Sequence, residues 1–429
     1  MQILADLQLH SKYSRAVSSR MDLTEIATWC VKKGIDLVAT GDWTHPLWFR
    51  EIKNNLKEES PGIFSLKSDG KGELSKVRFL LSTEISSIYL QGQKQRRVHN
   101  LIFSPSIATC EKIIREMQRR GSNLMSDGRP IVGISSKDLL EMTLNIDPEA
   151  LFIPAHAWTP WFSVFGSMSG FDSLEECFGK YTNKIFAIET GLSSDPAMNW
   201  RVKSLDKIAF ISNSDSHSLQ RIGREANVFD TELSYKGIME AIKNGSPSKS
   251  SGRLSRFIET IEFFPEEGKY HYDGHRACGV VMAPLESKKL KDLCPKCGKK
   301  MTIGVVYRVD QLAEKDRPEG YKDLKRVPYK NLVTLDSIIG EALDVGKATK
   351  SVMREYEKLI KAFKSEFDVL LNVSIKEIAS ISKPEVAEGV ERMRIGKLTI
   401  VPGYDGEFGV VKIFDDEDRK RISSQNGSF

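Results

Sequence analysis

The chain has no apolar run approaching the eighteen or so residues that cross a bilayer. Its opening residues, MQILADLQLH, lack the basic-then-apolar plan of a secretion signal. A cytoplasmic protein with no membrane partner is therefore expected. A disulfide framework is missing too: of six cysteines, Cys30, Cys110 and Cys177 stand alone, as small buried residues do. Strong charge of either sign is absent. A net charge of +5 on 429 residues does not by itself argue for nucleic acid. Six lysines between Lys288 and Lys300 and the acidic run Asp415 to Asp418 are equally compatible with solvated surface. There is no internal repeat.

The length exceeds what one hydrophobic core usually serves, so two or three domains are expected. Over residues 1–250, apolar segments alternate with helical patterns. GIDLVAT (34–40), VRFLLSTEI (77–85), LFIPAHAW (151–158), IFAIET (185–190) and KIAFISNSD (207–215) are the strand candidates. Their apolar runs do not alternate with polar residues, which suits parallel strands buried on both faces. Between them, DLTEIATWCVKKG (22–34) predicts a helix that Asp22 caps and Gly34 ends. Repeated strand–helix units imply an α/β sheet or barrel. The polar stretch 54–76 reads as a surface loop. Residues 251–325 are short of long helices. From 326 to 429 the pattern is helical, including SVMREYEKLIKAFKSEFDVLLN (351–372). It closes on two strands, 397–402 and 408–414, joined by GYDG.

Of seven histidines, five fall at or just past the C-terminal end of a predicted strand: His10, His45, His99, His156 and His217. That edge is where α/β folds place ligands and chemistry. Asp6, Asp42, Glu84 and Asp215 accompany them. Any one such histidine reads best as a structural residue. Five on one edge with four carboxylates form a ligand set for zinc, manganese or iron. Metal clusters of this kind hydrolyse phosphate esters by acidifying water and by neutralising the phosphate oxygens and the leaving alkoxide.

In order and surroundings these residues resemble the polymerase and histidinol phosphatase (PHP) superfamily. Its D-x-H-x-H motif is matched by ADLQLHSKYS at Asp6, Gln8 and His10, and its T-D-H strand end by VATGDWTH at Asp42, with the histidine displaced to His45. LSTEI supplies Glu84, VHNLIF supplies His99, IPAHAW supplies His156, and NSDSH supplies Asp215 and His217. The resemblance implies an α/β fold, a distorted (β/α)7 barrel holding two or three divalent ions (zinc, manganese or magnesium) at its rim. It places one ion on position 8, His10, Glu84 and Asp215, and a second on Glu84, His99 and His156. A third would take His217 with Asp42 or His45. Asp215, His217, Glu84 and His10 would carry catalysis. Gln8 departs from the pattern: an amide is uncharged and binds transition metals poorly, so the first site is expected to be weakened.

The remaining cysteines cluster. His275-x2-Cys278 and Cys294-x2-Cys297 give two ligand pairs at the spacing one tetrahedral structural zinc needs, and CPKCGKK supplies the glycine for the turn. His271 is a competing ligand, and a redox Cys-x-x-Cys is the alternative chemistry. The flanking lysines offer a phosphate-contacting face.

A PHP barrel followed by HYDGHRACG, a zinc knuckle and a helical domain ending IVPGYDGEFG is similar to the archaeal endonuclease Q family over essentially the whole chain. That resemblance implies DNA repair. DNA containing deaminated bases (uracil, hypoxanthine, xanthine) or abasic sites would be cut on the 5′ side of the lesion, leaving 3′-hydroxyl and 5′-phosphate. Two alternatives stay open: a small-molecule phosphatase of the histidinol-phosphatase type, and a zinc-ribbon DNA-binding protein whose catalysis Gln8 has weakened. The segment AWTPWFSVFGSMSGF (157–171) follows His156 and reads either as packing or as a pocket for a flipped base. Trp158, Trp161 and Phe165 are its candidate base contacts, with Arg15 and Lys299 as further DNA contacts. The tail SQNGSF weakly suggests a sliding-clamp partner.

Overall fold

One hydrophobic cluster takes alternate residues from successive strands, among them Ile3 and Ala5, Leu37, Leu80, Leu101, Ile153, Ala187 and Ile211. Pleating imposes that alternation. The opposite faces of the same strands, through residues such as Val38, Phe79, Ile102, Phe152 and Ile188, pack into a second cluster under the helices. Both faces are dry, which is why these segments read as continuous apolar runs.

The computed structural model describes residues 1–67, 72–245 and 255–420. Its strands are β1 (Gln2–Asp6), β2 (Leu37–Ala39), β3 (Leu56–Ser60), β4 (Ile63–Leu66), β5 (Arg78–Gln91), β6 (Lys94–Ser104), β7 (Ile131–Val132), β8 (Leu151–Pro154) and β9 (Ala187–Glu189). They continue as β10 (Ala209–Ile211), β11 (Ala226–Asp230), β12 (Arg256–Glu262), β13 (Asp273–His275), β14 (Val280–Met282), β15 (Tyr329–Asn331), β16 (Thr399–Val401) and β17 (Val410–Lys412). β1, β2 and β5 are parallel neighbours, and β9 pairs parallel with β10. Single contacts close the ring: Ala157 N–H donates to Glu189 O at 2.9 Å, and Leu9 bridges Ser216. The distorted seven-stranded barrel is thus present.

It departs from the expected parallel order at β5, β6 and β8, which run antiparallel. The cause is a long hairpin turned on Gly92 and Gln93, whose φ values of +59° and +63° fit a two-residue type I′ turn. The stretch expected as a loop over 54–76 also differs. β3 and β4 form a hairpin added to β5, and the polar residues Lys57, Glu58 and Glu59 lie exposed on its edge strand. Beyond β1 the sheet continues through β11, β12 and β15. The boundary expected after residue 250 lies outside the described residues, and the sheet runs past it into β12.

The helix at Leu23–Lys33 has the expected caps: Asp22 accepts from Thr24 and Glu25 N–H, and Gly34 sits at φ +89°. The helix expected over 351–372 instead breaks after Phe363, with Lys364 at φ +78°. That break turns Glu366 into a buried ion pair with Lys33 at 2.6 Å. Tyr356 Oη and Leu335 N–H also donate to Glu366, at 2.8 and 3.0 Å. The helical domain is thereby tied to the barrel. No helix among the described residues is long and apolar enough to cross a membrane. The tail SQNGSF lies outside the described residues.

Candidate active site

Three of the expected histidines stand just beyond strands. His10 follows β1, His156 follows β8, and His217 follows β10. His99 reaches them differently. It lies inside β6, opposite Ser86 and therefore on the same face as Glu84 in β5. Asp42, His156 and Asp215 have φ of +49°, +26° and +44°. Left-handed backbone at three non-glycine residues of one rim is strain held in place by its surroundings, as functional sites show. Gly191 is required beside it, since a Cβ there would meet His156 Cβ at 2.5 Å.

Two groups of potential ligands form at the rim: His10, Asp215 and His217, and Glu84, His99 and His156. Within each group the ligand atoms lie within 4.8 Å of one another. Glu84 links the groups. Its Oε1 contacts His99 Nδ1 and lies 3.2 Å from His156 Nε2, while its Oε2 lies 3.0 Å from His10 Nε2. His10 Nε2 and Asp215 Oδ1 are 3.2 Å apart, both buried and neither with a hydrogen-bond partner of good angle. Converging lone pairs without mutual hydrogen bonds are what a divalent cation satisfies, and imidazole with carboxylate is the right donor chemistry. Burial would raise the Glu84 carboxyl, but His99 and Arg129 beside it hold it well below the usual range. Burial likewise opposes ionisation of Asp215, and the neighbouring His10 overrides it.

Asp42 and His45 fall outside both groups. Asp42 Oδ1 holds His10 Nδ1 at 3.0 Å, and its Oδ2 accepts from Ser11 N, Ser11 Oγ and Ser14 Oγ at 2.6, 2.8 and 2.8 Å. Those contacts occupy the carboxylate and aim His10 Nε2 at the centre. His45 begins the helix Pro46–Asn55 and stacks on Tyr13 at 4.6 Å. Gln8 reaches the centre as a donor, its Nε2 3.0 Å from Glu84 Oε2, while its buried Oε1 has no partner. Asp6 clamps the loop carrying Asp215 and His217 instead, accepting from Ser214 and Gly223 N–H at 3.1 and 2.9 Å.

Two residues escaped the motif reading. Glu189, at the end of β9, accepts from His156 N–H and Asn213 Nδ2 at 2.7 Å each, and burial pushes its carboxyl up to about 8. Its signal was a carboxylate closing an apolar strand, the same signal that marks Asp215. Arg129 lies 3.5 Å from Glu84 Oε2. No motif flags it.

His275, Cys278, Cys294 and Cys297 come together in the second domain, with His275 Nδ1 3.4 Å from Cys297 Sγ. His271 is not in the group. The knuckle is built by Gly298 N–H to Cys294 O and Cys294 N–H to Lys299 O, both 2.8 Å, with Gly298 at φ +71°. This two-pair geometry fits zinc. The terminal hairpin closes on it, Asp405 accepting from Arg276 N and Thr302 Oγ1 at 2.6 and 2.5 Å.

The loop 157–171 is held by this domain. Arg308, on the helix Val305–Leu312, donates to Phe165 O, Phe171 O and Asp172 Oδ1 at 2.9, 3.0 and 2.6 Å. Trp158 and Phe165 are core residues and cannot serve as pocket walls. They are 0% and 1% exposed, pack with tilted rings at 4.8 Å, and the indole donates to Asn199 Oδ1 at 2.7 Å. Trp161 is 36% exposed and meets Tyr270 edge-on at 5.6 Å. Phe162, at φ +64°, packs over His99 at 4.8 Å. Arg15 is exposed, its backbone N–H bonded to Asp127 beside the centre, and Lys299 is exposed on the knuckle.

A family model described as PHP-associated matches residues 201–247, the stretch carrying Asp215 and His217. One described as MJ0043 C-terminal domain matches residues 334–397. The uncharacterized protein MJ0043 of Methanocaldococcus jannaschii is 34% identical over 291 residues, and the chain covers 35% of its length. The uncharacterized protein YqxK of Bacillus subtilis is 29% identical over 387 residues, covering 89% of each. Among solved structures, the lesion-specific endonuclease PfuEndoQ from Pyrococcus furiosus superposes with TM-score 0.83 at 31% identity, covering 100% of both chains. Endonuclease Q in complex with a 27-mer duplex bearing an abasic lesion at its active site superposes with TM-score 0.83 at 32% identity, over 97% of this chain and 98% of that one. With likeness of that degree running from end to end, the chain belongs to the endonuclease Q family.

Proposed function

We propose that the chain is a metal-dependent DNA-repair endonuclease that hydrolyses the phosphodiester 5′ to deaminated bases (uracil, hypoxanthine, xanthine) or abasic sites, leaving 3′-hydroxyl and 5′-phosphate. The observation that supports this reading is full-length likeness to PfuEndoQ combined with the two rim groups. Divalent ions (zinc, manganese or magnesium) at the rim would supply an acidified water and neutralise the phosphate and leaving-group oxygens. His10, Asp215 and His217 would hold one, and Glu84, His99 and His156 another. Asp42 orients His10, and Glu189 fixes the backbone from which His156 projects. Thr159 Oγ1, 3.2 Å from His156 Nδ1, leaves Nε2 to face Glu84. A structural zinc on His275, Cys278, Cys294 and Cys297 would stabilise the domain that pins the 157–171 loop.

Gln8 bears directly on metal occupancy. Its amide donates to Glu84 Oε2 where an imidazole would present a lone pair. Gln8→His is therefore expected to raise the rim metal content or affinity, read by mass spectrometry of the dialysed protein. Tight saturation with three rim ions in the unsubstituted chain would refute a weakened site.

Flipping a nucleotide costs least where its pair is already weak, as for a deaminated or absent base. Uracil, hypoxanthine and xanthine share a carbonyl acceptor beside an N–H donor, the edge a selective pocket would read. Trp161, the exposed indole of the loop, would stack on such a nucleotide. Trp161→Ala is expected to slow lesion cutting by at least tenfold with an unchanged melting temperature. Trp158→Ala should instead destabilise the fold by roughly 3–5 kcal/mol, the usual cost of emptying a buried Trp site. Normal cutting by the Trp161 variant would leave the loop a purely structural role.

Incision of a lesion duplex, run beside phosphate release from histidinol phosphate, tests the reading. Incision alone is expected, whereas phosphate release alone would assign the barrel to a small metabolite.

A further inference from the structure

Arg129 reaches the centre on a loop with little freedom. Asp127 Oδ1 accepts from the Arg129 backbone N–H at 3.0 Å and from Arg15 N–H at 3.2 Å. Gly128 N–H donates to Tyr13 O at 3.1 Å. A Cβ on Gly128 would lie 2.3 Å from Ser14 Oγ and 2.4 Å from Asp42 Oδ2, so only glycine passes there. Immediately after Arg129, Pro130 O accepts from Ser86 N–H at 3.0 Å, and β7 pairs with β5. The loop is thus locked between the Asp42 network and the strand that carries Glu84.

The guanidinium it delivers is three-quarters buried, with Nη1 3.5 Å from Glu84 Oε2. Asp215, Asp127 and Asp42 are the other carboxylates around it. Among the described residues, none of its N–H groups makes a hydrogen bond. A largely buried planar fork without an acceptor, beside the two ligand groups, matches an anion with several oxygens in one plane of approach. A structural counter-ion to Glu84 would sit closer and bond bidentately.

We propose that Arg129 binds a non-bridging oxygen of the scissile phosphate, holding the DNA backbone at the rim and facing the charge that builds there as the P–O bond breaks. This rests on the nuclease reading. Arg129 is a catalytic residue in the sense of touching the reacting group, alongside the metal ligands and distinct from them.

The test uses the full chain with its metals. Arg129→Ala is expected to lower kcat on a lesion duplex by about a hundredfold to a thousandfold, the loss typical of removing one preorganised donor to a developing oxyanion. Arg129→Lys should recover part of that loss, and both variants should keep the wild-type metal content. Binding supplies a second readout. In an Asp215→Asn background that blocks cutting, Arg129→Ala should weaken a duplex with an ordinary phosphate 5′ to the lesion. It should leave unchanged the affinity for one carrying a neutral methylphosphonate there. Unchanged turnover, metal loss in proportion to activity, or equal weakening of both duplexes would overturn the assignment. If the wild type cuts no lesion duplex, the nuclease reading falls first, and this inference with it.

Discussion

Asp215→Asn is expected to abolish phosphodiester cleavage while leaving the melting temperature within a few degrees of wild type. The carboxylate is 3.2 Å from His10 Nε2 in one of the two rim ligand groups, so neutralising it weakens that group's hold on a cation. Metal-ion stabilisation of a phosphoryl transition state is worth several kcal/mol. At about 1.4 kcal/mol per decade, that corresponds to a rate loss of roughly a thousandfold or more. Asn is the better replacement because position 215 has φ +44°, which Asn adopts more readily than Ala. His217→Ala should match it in activity, since His217 packs edge-on against His10 at 4.7 Å in the same group. Full activity in either variant, measured with metal supplied, would remove these residues from the chemistry.

The second large effect is expected at Cys294. It is the buried member of the His275, Cys278, Cys294 and Cys297 group. Losing one thiolate of a structural zinc site forfeits much of a binding energy of roughly 10–16 kcal/mol that is also folding energy. The small apolar cluster beside the site holds only Val280, Cys294 and Met301 as buried members, so apolar packing there compensates little. Cys294→Ser should therefore release zinc and unfold the second domain while the barrel melts as before. Because Arg308 then no longer pins Phe165 O and Phe171 O, lesion cutting should fall with it. Reduced activity with intact zinc content and thermal stability would contradict a structural metal.

The two sites were legible in the sequence to different depths, for physical reasons. Cys-x2-Cys beside His-x2-Cys is a local constraint, because each pair needs only its own turn, and the four ligands meet as the spacing requires. The rim is assembled from residues as far apart as Gln8 and His217. Motif order singled out most of them, yet which residues share a group depended on orientation. Asp42 could turn toward an ion or toward His10, and Ser11 and Ser14 decide it. His45 follows the same strand but is spent on starting a helix. In the loop 157–171, aromatic content alone could not separate Trp158, which finds Asn199 inside the core, from Trp161, which stays at the surface. Arg129 carries no motif at all and matters only because Gly128 passes under Asp42. In the fold, strands dry on both faces were readable from apolar runs. The edge hairpin β3–β4 was not, because an edge strand carries charge.

The most direct measurement is incision of end-labelled duplexes containing uracil, hypoxanthine, an abasic site or no lesion, with divalent metal and with chelator. A single metal-dependent cut on the 5′ side of each lesion, with ends that a ligase can reseal, is expected, and the undamaged duplex should survive. No cutting, or cutting that ignores the lesion, would contradict a lesion-specific endonuclease.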